Sequence, residues 1–300
     1  MKRHIPLEMK NFHKVLTRTE KETIQGRGIS LIQYKNEHIT VFQSQLFKTT
    51  SSVIHTKDCV IVVDPTWLPL EVKEIREYVE EIKQNKPVYL LFTHSDWDHI
   101  IGYGAFPEAI VIASAGFHEN KEKEQILEQI HEFDHQYYLD RDYAITYPKV
   151  DMIIRDEGQK LEIGETSLTF YKADGHTDDG LFTIIEPLGI WVAGDYLSDV
   201  EFPYIYTSSE KYEETLLKCE GILERHKIRL LIPGHGQATD SIEEIHHRKA
   251  KSLNYINELR SAILANQESQ HLIEEYAYPK GMKAFHEGNM KVIKKEIEVK

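Results

Sequence analysis

Four apolar runs in this chain stop at histidine or aspartate beside a glycine, and that arrangement limits the fold more than any other feature. PVYLLF runs into THSDWDHIIG, SLTFYKA into DGHTDD, GIWVA into GDY and IRLLI into PGHG. Each run is short and apolar, as buried strands are, and the glycine marks a sharp backbone turn at its end. Four strand ends therefore deliver seven acids and imidazoles: His94, Asp96, Asp98, His99, His176, Asp195 and His235. A dense acid cluster without cations repels itself, whereas imidazole and carboxylate together suit zinc, iron or manganese. One ion uses three or four ligands, so seven candidates point to two ions.

The other histidines lack such a setting, although His246 and His247 follow the PGHG turn closely enough to be considered as supports. The two cysteines, Cys59 and Cys219, form no CxxC motif and read as buried thiols of a reducing compartment. A net charge of -13 gives no electrostatic support for binding nucleic acid or anionic lipid. The N-terminal MKRHIPLEMKNFHKV lacks the apolar core of a secretory signal, and no run approaches the roughly 18 apolar residues of a membrane span. The expectation is a soluble, cytoplasmic protein with no membrane and no nucleic-acid partner.

Strand candidates HITVF, SSVIH and CVIVVD precede a helix over 70–84, and AIVIA follows the first motif. Helical spacing then covers about 117–140. The second half repeats the scheme with LEIG, SLTFYKA, LFTIIE and GIWVAG, a helix over 210–226, the strand IRLLIP and a long helix. Strands followed by helices, twice over, predict two β-rich halves with helices outside. We expect one domain over 1–300, with a helical insertion at about 115–150 and C-terminal helices at about 266–300.

These residues resemble the HxHxDH…His…Asp…His pattern of the metallo-β-lactamase superfamily, with one departure at Asp96. The resemblance spans roughly 39–265. It implies an α+β fold, the αββα sandwich of two mixed β-sheets with helices on both outer faces. It also implies a first metal on His94, Asp96 and His176, a second on Asp98, His99 and His235, Asp195 between them, and Asp64 of VVDPTW in support. Asp195 stands where β-lactam-cleaving members with two metals commonly have cysteine, so the pattern is closer to glyoxalase-type, lactonase-type and phosphodiesterase-type branches.

Aspartate in place of histidine at position 96 adds a negative charge, making metal-bound water less acidic and the site harder. Zinc remains the first expectation for the two divalent ions, with iron or manganese open. The implied activity is hydrolysis of a small ester, thioester, lactone or phosphodiester by a hydroxide bridging the ions, with Asp98 as catalytic residue. Alternatives are an iron-dependent oxidoreductase or sulfur dioxygenase and a non-catalytic metal sensor. Tyr196 is a candidate proton donor. Tyr137, Tyr138, Phe202, Tyr204 and Tyr206 are candidates for an apolar entrance or a homodimer contact, and no substrate-binding residue is assigned.

Overall fold

The computed structural model describes residues 31–299. The N-terminal segment read above for a secretory signal lies outside the described residues. Seven strands form the first sheet in the order β1 (Ile32–Lys35), β2 (Ile39–Gln43), β3 (Thr50–His55), β4 (Val60–Val63), β5 (Val88–Leu91), β6 (Ile110–Ser114) and β7 (Met152–Ile154). The first four are antiparallel and the last three continue β4 in parallel. The second sheet has the order β12 (Leu230–Ile232), β11 (Ile190–Val192), β10 (Leu181–Glu186), β9 (Thr166–Lys172) and β8 (Lys160–Ile163), with only β11 and β12 parallel.

Period-two alternation explains how these strands build three apolar layers. Along β4, Ile61 and Val63 face the second sheet, while Val60 and Val62 face outward. In β11, Ile190 and Val192 face the first sheet and Trp191 faces outward. Cys59 is buried in the layer between the sheets, and both cysteines are free thiols.

Outside the first sheet, α1 (Pro69–Lys83) begins with proline, which fits a first helical turn, and buries Val72, Ile75 and Val79. α4 (Lys123–Tyr137) lays Ile126 and Ile130 on the same outer layer. The predicted single helix over 117–140 is divided: α3 (Ala115–Glu119) ends at Asn120, and α4 ends at Tyr138 in the left-handed region. Outside the second sheet lie α5 (Ser209–Arg225), α6 (Ile242–Leu264) and α7 (Pro279–Val299), with serine caps at Ser208 and Ser241. Their apolar stripes, among them Tyr212, Leu216 and Cys219 of α5 and Ile256 and Leu259 of α6, form the third layer. The chain is the expected αββα sandwich. Among the described residues, no helix is long and apolar enough to cross a membrane.

All the chemistry collects at one edge. β4 and β5 run parallel, as do β11 and β12, so their C-terminal ends meet there. A backbone hydrogen bond from Leu181 N to Thr93 O at 2.8 Å ties the two sheets together at this edge.

Candidate metal centre

The short helix α2 (Trp97–Ile100) starts where β5 ends, which puts His94 and Asp96 before it and Asp98 and His99 on it. His176, Asp195 and His235 follow β9, β11 and β12. The structure brings all seven together in two groups, His94, Asp96, His176 and Asp195 in one, and Asp98, His99 and His235 in the other. Within each group the donor atoms lie within 4.8 Å of one another.

Asp195 lies across both groups. Its Oδ2 is 3.3 Å from His176 Nε2, 3.5 Å from His235 Nε2 and 3.8 Å from His94 Nε2, and its Oδ1 is 3.1 Å from His99 Nε2. Asp96, the departure from the family pattern, turns inward, with Oδ2 at 3.3 Å from His176 Nε2 and 3.7 Å from His94 Nε2. Asp98 Oδ2 is 3.6 Å from both His99 Nε2 and His235 Nε2.

The four imidazoles share one orientation. His99 Nδ1 donates to Asp64 Oδ2 at 2.9 Å, His176 Nδ1 to the Tyr204 carbonyl at 2.7 Å and His235 Nδ1 to the Phe47 carbonyl at 2.9 Å. Thr93 Oγ1 donates to Asp64 Oδ2 at 2.6 Å, so it accepts from His94 Nδ1 at 2.9 Å. Every ring thus carries a proton on the outer nitrogen and turns Nε2 inward, the orientation a metal needs once any second proton has been displaced. His94 and His176 bring these Nε2 atoms to 3.3 Å, a separation that either a proton shared between them or a metal ion satisfies. His99 Nε2 and Asp195 Oδ1 are buried without a hydrogen-bond partner. The donor set therefore fits divalent ions, which would also meet these two unpartnered atoms.

The electrostatics agree. Burial opposes charge on His99 and His176, yet the carboxylates outweigh it: Asp195 and Asp98 hold His99 well above the ordinary range, and Asp195 and Asp96 do the same for His176. His235 is pushed up to about 10, where burial is overcome by Glu201 and Asp195. Burial likewise opposes charge on Asp195, but His235 and His99 hold it well below the usual carboxylate range. Burial dominates at Asp98 and raises it. A site that pulls protons onto buried imidazoles this strongly is one a cation can occupy by displacing them.

Asp64 takes a left-handed φ of 43° and also accepts from the Thr93 backbone N–H at 3.0 Å. Tyr196 is not placed as a proton donor: its hydroxyl donates to the Asp174 carbonyl at 2.7 Å and accepts from His176 N at 3.1 Å, and burial raises its pKa. His246 lies on the surface of α6 beside Glu220, away from the site. Of the candidate entrance aromatics, Tyr204 and Tyr206 line a cavity of about 720 Å³ over the two groups, Phe202 is buried in the core, and Tyr138 is 93% exposed. Sequence reasoning missed Glu201, a buried acid on the cavity wall 3.7 Å from His235 Nδ1, whose carboxyl burial raises to about 7. It also missed Thr49, whose hydroxyl lies 3.2 Å from His235 Nδ1 and accepts from Trp67 Nε1. Neither adjoins a motif; only folding brings them in.

Residues 45–235 match the family model described as the metallo-beta-lactamase superfamily. The chain belongs to this superfamily. A metallo-beta-lactamase type 2 from Bacillus sp. (strain 170) is 23% identical over 231 residues, 76% of this chain and 82% of that protein. A second from Bacillus cereus is 22% identical over 232 residues, with the same shares. Among solved structures, a metallo-beta-lactamase family protein from Thermus thermophilus superposes with a TM-score of 0.60 at 16% identity, covering 87% of this chain and 94% of that one. At these identities the superposition speaks for the shared fold.

Proposed function

We propose that the chain is a metal-dependent hydrolase of a small-molecule ester, thioester, lactone or phosphodiester, working with two divalent transition-metal ions. The observation that carries this reading is the set of four inward Nε2 atoms and three carboxylates gathered under a 720 Å³ cavity, a size suited to a small molecule. His94, Asp96 and His176 would hold one ion, Asp98, His99 and His235 the other, and Asp195 both. Bound there, the ions would polarise the substrate oxygen and make hydroxide available at neutral pH. The chain's own residues do the rest. Asp64 holds the His99 ring in place, Asp98 would orient the attacking water at its carboxylate, and Phe47, Trp67, Trp97 and Tyr206 give the cavity wall aromatic surface for the apolar part of a substrate.

Elemental analysis of the purified protein should find about two transition-metal ions per chain, and a lower content in Asp96→Ala. Full metal content in that variant would remove Asp96 from the ligand set. Failure of the metal-loaded protein to turn over any member of a panel of esters, thioesters, lactones and phosphodiesters, under zinc, iron and manganese, would overturn the hydrolase reading. A second reading, hydrolysis of a β-lactam amide, is favoured by the names of the two Bacillus relatives. Asp195, in place of the cysteine common in lactamases, weighs against it, and a chromogenic cephalosporin in the same panel decides it.

A further inference from the structure

Buried polar atoms without partners occur in two settings in this protein. Those of Thr169, Thr183, Trp191 and His226 belong to residues outside the cavity lining, whereas Thr177 and Asp179 belong to its wall. Metal ions would account for His99 Nε2 and Asp195 Oδ1. They do not account for Thr177 Oγ1 or for the two Asp179 carboxylate oxygens, all three without a hydrogen-bond partner. Asp179 is 6% exposed and Thr177 9%. A carboxylate shut away from water with neither oxygen bonded is among the most costly arrangements a fold can hold, unless something arrives to meet it.

The surroundings specify what could arrive. Asp179 is fixed in place: its carbonyl accepts from Ser114 Oγ at 2.7 Å, and a Cβ at Gly116 would come within 3.0 Å of its own Cβ. Ser95, which accepts from Asn120 Nδ2 at 2.9 Å, extends the same polar wall. Glu122, Asp178 and Glu201 add acids to the lining, against a single lysine, Lys121, and no arginine, although Asp178 also lies 3.8 Å from Lys211 Nζ outside the lining. Trp97 and Tyr206 add aromatic rings, a type of side chain that attracts cations, to the lining. A carboxylate acceptor, a hydroxyl, aromatic side chains and an acidic surround are the complement of a positively charged N–H group, not of a phosphate or carboxylate.

We propose that Asp179 and Thr177 form a subsite for the cationic N–H group of the substrate, a primary ammonium or a guanidinium. Ser95 sits between His94 and Asp96 in the chain, and Thr177 directly follows His176, so the subsite adjoins the first ligand group. The charged nitrogen would therefore lie near the bond that is cut. This inference rests on reading the cavity as a hydrolase site, and it narrows the substrate to an ester, thioester or lactone that carries a protonated amine.

Binding, not turnover, tests it. Benzylammonium and the neutral benzyl alcohol are titrated calorimetrically into the metal-loaded protein at neutral pH. The ammonium should bind at least about tenfold more tightly, and Asp179→Asn should reduce that preference to about twofold or less. Thr177→Val should weaken ammonium binding while leaving the alcohol unchanged. Equal binding of the two probes to the unmodified protein would overturn the proposal, as would a folded Asp179→Asn variant that keeps the preference. Should that variant not fold, the unmodified protein and Thr177→Val still decide. If the ammonium preference holds while every hydrolytic assay fails, the subsite stands and the hydrolase reading falls.

Discussion

At Gly234 the chain has no room for a side chain. A Cβ there would lie 2.1 Å from Asp195 Oδ1 and 3.0 Å from His99 Cε1, inside the donor cluster itself. Gly234→Ala should therefore keep the circular dichroism spectrum of the fold and lose at least about half of the bound metal; full occupancy in the variant would show that the cluster can give way. The seven clustered residues could be read from sequence because each must be histidine or aspartate and each closes an apolar run. Asp64 was legible only through the family resemblance, which implies a supporting acid at the close of an early strand. Glu201 and Thr49 could not be read, because nothing in VEFPY or KTTSS marks them before the fold sets them against His235. The inward turn of Asp96 is likewise a matter of geometry: the sequence shows an acid, and only the structure shows its oxygen 3.3 Å from His176.

Among the elements, the C-terminal helix α7 does more than cover the core. Asn289 accepts from Ile205 N at 2.8 Å and donates to the Pro203 carbonyl at 2.6 Å and to Tyr255 Oη at 3.0 Å. It thereby clamps the segment whose Tyr204 carbonyl orients His176. Phe285 stacks on Tyr204 with ring centres 4.1 Å apart and reaches the cavity wall. Next to this clamp His286 is buried between Tyr255 Oη at 2.8 Å and Ser269 Oγ at 2.9 Å. Burial lowers its pKa, His271 adds to the effect and Glu287 opposes it. A depressed histidine favours the fold fully above its unfolded value of about 6.5, and that stability is lost as pH falls through the lower folded value. The protection factors of α7, referred to intrinsic amide exchange at each pH, should therefore fall between pH 7.5 and 5.5, and His286→Gln should flatten the change. An equal pH response in the variant would assign the effect elsewhere. Element boundaries were legible where apolar runs were strong. β1 and β7 escaped because IQYK and MII are short and their residues largely half-exposed, and the helix read as one over 117–140 breaks where Asn120 leaves helical geometry.

For the whole molecule, the two ligand groups draw on both halves of the sandwich: His94, Asp96, Asp98 and His99 from the first sheet, His176, Asp195 and His235 from the second. An ion that binds only the folded chain adds its binding free energy to stability, about 2.7 kcal/mol at a hundredfold excess over Kd. Chelation should accordingly lower the melting temperature by roughly 5 °C or more, reversibly on adding metal back. An unchanged melting temperature on complete stripping, verified by elemental analysis, would mean that the centre does not hold the halves together. The layered architecture was legible from the twofold repeat of strands before helices. The cavity and its polar wall were not, since they arise from loops that leave different strands and meet only at the shared edge.

Each sheet is built from one continuous stretch of sequence, and among the described residues the chain crosses between them once, at 155–159, where Arg155 to Gly158 are exposed. Cut there, the protein would become two complementary pieces, each carrying one sheet and an incomplete set of ligands. Such pieces should reconstitute in a metal-gated way, associating more tightly in the presence of the ion than after chelation, as gel filtration of the co-expressed fragments would reveal. A single crossing thus makes the same centre that serves chemistry a potential latch for a two-part protein.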